Sequence, residues 1–240
     1  ASALLAANKK VADNLALAIR KETPIKWLKR MPTLQYFHAI QFFTEARFGE
    51  WQKILAEPQP DKQFHYLTGM WHYARGLAMA HTEKLKQAEK ELRSLNDLKK
   101  KINTNDTDKK DFKIAIFILK ANIAAARQQW DAAILAWQSA SDIQQTITQL
   151  DPPSWYVPCY QGLGFAFLNA NKPEQAIHAF EADLVARPKN GWSLYGLMQA
   201  YKKLNKHSEY NRLKAQFKKS WQGSSVQLPL KYGTDIMANA

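Results

Sequence analysis

The sequence predicts an all-α fold, a right-handed α-α superhelix of about four to five helical hairpins stacked as a solenoid. Three observations carry this. Apolar residues recur at helical spacing along most of the 240 residues, and no stretch alternates convincingly at period two, so no sheet is expected. Prolines 24, 32, 58, 60, 152, 153, 173 and 188 fall between the periodic stretches, where a residue without an amide proton starts or stops a helix. Third, apolar positions repeat at an interval of 34 residues: Trp51 to Leu85, Leu163 to Leu197, and Phe167 to Tyr201.

The elements follow in order. Residues 1–32 form an N-terminal helical extension, with one helix over about 2–22 whose stripe is Leu4, Val11, Leu15 and Ile19. Five hairpins follow over 33–57, 64–101, 111–150, 156–188 and 191–221. Their helices are expected over about 33–48, 50–57, 64–81, 84–101, 111–127, 130–150, 156–170, 173–186, 191–204 and 207–221. Leu85 to Trp130 spans 45 residues rather than 34, and the polar run from Asn103 to Lys110, without one apolar residue, supplies the insertion as a loop. Residues 222–240 read as an irregular tail beginning at Gly223-Ser224-Ser225, with Val226, Leu228 and Leu230 tacking it onto the last helix.

The clearest hairpin shows why these residue types recur. Gly164 lets its two helices approach, Phe167 and Phe180 fill the space between them, Ala176 sits at the crossing, and Pro188 stops the second helix. The last hairpin repeats the first half of this pattern but has Tyr210 where a small residue is expected, which marks an end unit or cap.

With these positions in hand, the chain resembles the tetratricopeptide repeat (TPR) family, specifically the C-terminal part of a larger bacterial member. The resemblance rests on Met70-Trp71-His72-Tyr73-Ala74-Arg75-Gly76-Leu77-Ala78, and on Asp151-Pro152-Pro153-Ser154-Trp155-Tyr156-Val157-Pro158 through Asp183, Pro188 and Asn190-Gly191-Trp192-Ser193-Leu194-Tyr195-Gly196-Leu197. It covers roughly residues 35–221. Such domains bind peptide or protein segments in a concave groove, so the resemblance implies a non-enzymatic scaffold or adaptor. By its register the groove gathers Tyr36, Arg47, Tyr73, Leu77, Asn122, Gln161, Phe165, Trp192, Tyr195, Gln199, Lys202 and Lys203. Aromatic anchors beside amides and cations suit an extended peptide or a helix, with Lys and Arg selecting an acidic one. The dull alternative is that some of these side chains pack against neighbouring repeats, or against the first helix folded into the groove. The carboxylate clamp of chaperone-tail TPRs is not expected. Its positions hold Ala39, Phe43, Tyr73, Leu77, Ile118 and Asn122, of which Asn122 alone is a suitable type.

Composition bounds the rest. The net charge of +13 permits anionic partners. Nucleic-acid binding through Lys99–Lys101 with Lys109, Lys110 and Lys113, or through Lys202–Lys219, is the less favoured alternative, because Lys dominates over Arg. No apolar run reaches the length of about 20 residues that a membrane span needs. One cysteine, Cys159, rules out an internal disulfide framework and fits a reducing compartment, so the expected location is cytoplasmic, with a periplasmic or secreted one left open. The chain begins at Ala1 without Met, and the expectation is that a leader or further repeats preceded it. Self-association through an apolar helix face at that end is a further expectation.

Catalytic and metal-binding chemistry find little support. His65 and His72 lie two helical turns apart, roughly 10 Å, too far to share a metal. Gly162-Leu163-Gly164 follows no strand and reads as a helix crossing, not a dinucleotide loop. Cys159 stands near a helix start, but no base lies near it in sequence, and a packed thiol is the simpler reading. Glu89, Glu91 and Asp183 lie on Lys-rich helices and read as solvated. No cofactor is expected. An enzyme with a hydrolase-like site formed across repeats stays as an alternative, to be judged by whether Cys159 or a His meets a base.

Overall fold

The computed structural model describes residues 2–101, 106–147, 154–222, 230–231 and 235–236. Among these residues the chain is built of helices, each packed against its neighbours in sequence. They are α1 (Ser2–Leu5), α2 (Lys9–Glu22), α3 (Gln35–Arg47), α4 (Trp51–Ala56), α5 (His65–His81), α6 (Leu85–Lys101), α7 (Asp106–Ala126), α8 (Trp130–Gln145), α9 (Cys159–Asn169), α10 (Pro173–Ala186), α11 (Gly191–Lys203) and α12 (His207–Ser220). Short 3-10 turns cover Ile25–Trp27 and Pro32–Leu34.

Burial divides these helices into two layers. Among the described residues α11 buries nine of its 13 residues whereas α12 buries one of 14. The same contrast separates α5, apolar on nearly every side, from α6, whose Lys-rich sequence buries Ala88 and Leu95 along one stripe. The odd-numbered helices from α3 to α11 therefore form the inner layer, and their even-numbered partners cover it. Glycine sets the spacing where α9 and α11 meet Phe180 of α10. A Cβ at Gly164 would stand 2.6 Å from the Phe180 ring, and one at Gly196 would stand 2.2 Å from it, so one phenyl ring fills the gap that two glycines leave.

The turns inside the hairpins share one backbone solution. Gly49, Glu83, Gln128, Asn171 and Asn205 all have φ between 56° and 68°. The residue after each donates its amide to a carbonyl five residues back: Glu50 to Glu45, Lys84 to Met79, Gln129 to Ala124, Lys172 to Phe167 and Lys206 to Tyr201. This is the Schellman arrangement, which satisfies the last carbonyls of the first helix with a left-handed residue. Successive left-handed residues stand 34 apart from Gly49 to Glu83 and again from Asn171 to Asn205.

The same turn corrects the reading of the N-terminus. Residues 2–22 are not one helix: Ala7 has φ of 56°, Asn8 donates its amide to the Ala3 carbonyl, and the Asn8 side chain caps α2 by accepting from the Val11 amide. The break turns the expected stripe apart. Leu4 is buried, whereas Val11 and Leu15 face outward and α2 buries Ala12 and Ala16 instead.

Two further differences concern the insertion and the tail. Asp106–Lys110 belong to α7 rather than to a loop, with Asp106 and Asp108 in the first turn, where carboxylates complement the helix dipole. Residues 102–105 and Pro152 and Pro153 lie outside the described residues, as do Val226 and Leu228. In the tail, Leu230–Lys231 pairs antiparallel with Asp235–Ile236, a two-residue ladder where no strand was expected.

Two segments outside the hairpins bind the layers together. Before α9, buried Trp155 packs edge-on to Phe43 and Tyr73, with ring centroids 5.1 and 5.5 Å away. At the N-terminus, Leu4, Ala7 and Ala12 form a cluster with Phe48 at the end of α3 and Trp192 at the start of α11. The Trp192 indole nitrogen donates to the Leu4 carbonyl at 2.8 Å, and the Gln222 amide donates to the Ala6 carbonyl at 2.8 Å.

Candidate functional site

A cavity of about 310 Å³ opens where the first turns of α3, α5 and α7 converge, lined among others by Leu28, Gln35, Tyr36, Phe64, Tyr66 and Asp108. Each wall has a local cause. Gln35 begins α3, and its side-chain oxygen accepts from the Leu67 amide at 3.1 Å, so one inner helix caps the next. Phe64 and Tyr66 bracket the start of α5 and are buried, while His65 between them stays exposed at the rim with Lys29. Asp108 enters from the first turn of α7 and is bonded to the Tyr36 hydroxyl.

Behind this wall lies a second carboxylate. Asp111, one turn further along α7, is fully buried and accepts from the Tyr66 hydroxyl at 3.0 Å and from the Ser154 hydroxyl at 3.1 Å. The Tyr36 and Tyr66 rings stand 4.4 Å apart, tilted by 60°. Burial pushes the Asp108 carboxyl up to about 6, and pushes Asp111 up to about 7 against the lowering effect of its two hydroxyl partners. The helix N-terminus favours the ionised form of Asp108, in the first turn of α7, but desolvation outweighs it. With its carboxyl pushed up to about 6, Asp108 is mostly an anion at neutral pH, held by the Tyr36 hydroxyl, and the Tyr36 and Tyr66 rings line the same cavity.

That combination has a definite chemistry. Aromatic faces attract a cation, and an ionised carboxylate in a partly desolvated wall hydrogen-bonds it. The site suits an ammonium or guanidinium group better than an anion.

The residues expected to line one groove are dispersed. Tyr36 alone among them lines this cavity. Arg47, Gln161 and Trp192 come together as an internal cluster: Arg47 donates to Gln161 at 2.8 Å, and its guanidinium lies 4.1 Å from the centre of the Trp192 ring. Gln161 and Trp192 have no exposed surface and Arg47 has 5%. Tyr73 is buried between Phe43 and Trp155, Leu77 lies in the same core, and Phe165 packs edge-on to Phe180. Asn122 is buried, donating to the Ile118 carbonyl and contacting the His81 ring at 3.1 Å. Tyr195 and Gln199 are half-buried, with Tyr195 against Phe217. Lys202 and Lys203 are exposed, and Lys203 donates to the Leu168 carbonyl at 3.1 Å. Seven of the twelve, Arg47, Tyr73, Leu77, Asn122, Gln161, Phe165 and Trp192, are thus buried in contacts within the chain, Trp192 among them beneath α1.

Other expectations change as well. Asp183 is not solvated: it is fully buried and accepts from Arg187, Asn190 and Ser193 at 3.0, 2.6 and 2.6 Å. Glu91 is largely buried between His72 at 2.5 Å and Arg75 at 3.3 Å. Cys159 is buried, and burial raises its thiol pKa, which disfavours the thiolate a nucleophile needs. Among the described residues no three His, Cys, Asp or Glu side chains gather as a metal site. A second, shallower hollow of about 450 Å³ lies between the α7–α8 and α9–α10 turns, bridged by the 2.8 Å pair of Lys172 and Asp131.

Asp108 and Asp111 escaped the sequence reading because they fell at the edge of a polar run taken as a loop. The signal was present: two acids at i and i+3, just ahead of an apolar helical stretch, share one helix face. No helix among the described residues is long and apolar enough to cross a membrane. Comparison with protein-family models, curated proteins and solved structures finds no match.

Proposed function

We propose that the chain is a tetratricopeptide-type helical scaffold, without catalysis of its own, that binds a peptide segment of a protein partner. The observation that carries the reading is the cavity at the convergence of α3, α5 and α7, where Tyr36, Tyr66 and the Asp108 carboxylate stand together. The two-layer stacking of hairpins and the recurring Schellman turns at 34-residue spacing support the repeat assignment. The site chemistry alters the expected partner. An acidic peptide was the expectation from the lysines and arginine of the groove set, but Arg47 is buried against Trp192, and Lys202 and Lys203 lie on a different hairpin. The cavity favours a segment that presents an arginine or lysine side chain.

The test uses short capped tripeptides, Gly-Arg-Gly and Gly-Glu-Gly, titrated into the isotopically labelled protein. The Arg peptide is expected to shift the amide signals of residues around Tyr36, Tyr66 and Asp108, and Asp108→Asn is expected to weaken that binding by about tenfold. An Arg peptide that moves no signal near the cavity overturns the site, and preferential binding of the Glu peptide reverses its polarity. Binding of a single-stranded oligonucleotide lost on neutralising Lys99, Lys100, Lys109 and Lys113 would instead support the nucleic-acid reading.

A further inference from the structure

Eight large apolar side chains are exposed among the described residues, and six of them fall within residues 11–31: Val11, Leu15, Leu17, Ile25, Trp27 and Met31. Cations are interleaved with them. Lys10, Lys21, Lys26, Lys29 and Arg30 are exposed in the same stretch, against one exposed acid, Glu22. The second acid, Asp13, is already paired with Lys9 at 2.5 Å.

The underlying backbone is fixed. Leu28 is fully buried in the main core, the Thr23 carbonyl contacts the His38 ring at 2.6 Å, and Arg20 is tied to Glu57 at 2.8 Å. Ile25, Trp27 and Met31 thus project from an anchored turn, and Val11 and Leu15, one turn apart, are exposed on the flank of α2 about 100° around from buried Ala12 and Ala16.

We infer that residues 9–31 form a docking surface for an anionic lipid bilayer, lying in the headgroup layer without crossing it. Charge selects this occupant over a second copy of the chain, because a symmetric contact would set five cations against five. Shape selects it over an acidic helix. Ile25, Trp27 and Met31 line neither of the two hollows described above and are 46–57% exposed, and an exposed apolar set outside a hollow suits a layer that conforms to it rather than a rigid partner. The residue types agree. Trp sits preferentially at the membrane–water boundary, and Lys and Arg flanking an apolar face reach anionic headgroups while their stems stay in the boundary. The surface is preformed, so binding does not carry the cost of folding a helix.

Sedimentation of the whole chain with phosphatidylcholine vesicles, with and without added phosphatidylglycerol, tests this. Binding to the anionic vesicles is expected, weakening as salt rises. Lys26→Gln with Lys29→Gln and Arg30→Gln is expected to weaken it by about fivefold per cation, on the order of a hundredfold in all. Ile25→Ser with Met31→Ser is expected to weaken it by at least about tenfold. The blue shift of tryptophan emission on binding should diminish in Trp27→Phe. All these positions are exposed, and an unchanged circular dichroism spectrum checks that the variants fold. The control neutralises Lys214, Lys218 and Lys219 on α12, equally exposed, and should bind as the wild type does. Absence of binding to anionic vesicles at low salt overturns the inference. So does an α12 control that weakens as much as the turn variant, because binding would then follow only the net charge of +13.

Discussion

Replacing Trp192 by alanine separates two accounts of that residue. As a groove residue it would be exposed, and its loss would cost binding and little stability. In the structure it has no exposed surface; it closes a cluster with Leu4, Ala7, Ala12 and Phe48, donates to the Leu4 carbonyl at 2.8 Å, and lies under the Arg47 guanidinium at 4.1 Å. Truncating a buried Trp to Ala costs about 3–5 kcal/mol through lost transfer energy and the cavity left behind. The indole hydrogen bond contributes about 1 kcal/mol net, and the cation–π contact about 1–2 kcal/mol. These effects overlap, so the expected loss is about 4–6 kcal/mol, a large share of the roughly 5–15 kcal/mol that holds a typical domain. Trp192→Phe keeps a ring beneath Arg47 but removes the donor, and about 1–2 kcal/mol should go. Urea unfolding followed by circular dichroism measures both, and hydrogen exchange at Asn8 and Val11 reports whether the N-terminal segment is released. A Trp192→Ala loss below about 1.5 kcal/mol would refute the reasoning. So would a Phe variant as damaged as the Ala variant, because shape would then count for nothing.

Three more outcomes are expected. Burial raises the Asp111 carboxyl to about 7 and Asp108 to about 6 in the folded chain, above their ordinary values, so the folded state holds protons that the unfolded state has released. Stability should therefore fall as pH rises from about 4 to about 7, by a few kcal/mol, and Asp111→Asn should flatten that slope in a pH series of urea midpoints. Glu83→Gly and Gln128→Gly should each stabilise the chain by up to about 1 kcal/mol, since both positions hold a left-handed backbone that glycine adopts freely; Val at either should lower the melting temperature instead. Gly196→Ala should cost about 1–3 kcal/mol by driving a methyl group into the Phe180 ring, and pairing it with Phe180→Leu should recover part of that loss.

Much of the hairpin order was legible because it is local. Pro173 opens α10, and Gly164 and Phe180 meet as their small and large types suggested, since each choice answers a need inside one hairpin. What sequence periodicity does not carry is the arrangement between distant segments. Trp192 reads as a groove aromatic because its register is that of an inner-helix position, yet a segment 188 residues earlier covers it. Asp183 was expected to be solvated on a Lys-rich helix, but α10 is mostly apolar and has no lysine, and the three donors to Asp183 come from residues four to ten further on, folded back over it. The break at Ala7 was hidden for a different reason. A Schellman turn is a hydrogen-bond pattern, and here Ala, Glu, Gln and Asn occupy the left-handed position that glycine would have advertised.

The bond between the Gln222 amide and the Ala6 carbonyl makes the described fold a buckled strap rather than an open spring. An open stack of repeats peels from either end, one unit at a time. Here the first turn and the last helix hold each other, with the Trp192 and Trp221 rings 5.1 Å apart beneath the clasp. A tensile load applied at residues 2 and 222 meets that clasp before any hairpin is stretched. The clasp should yield as one early rupture, after which the hairpins lengthen in sequence.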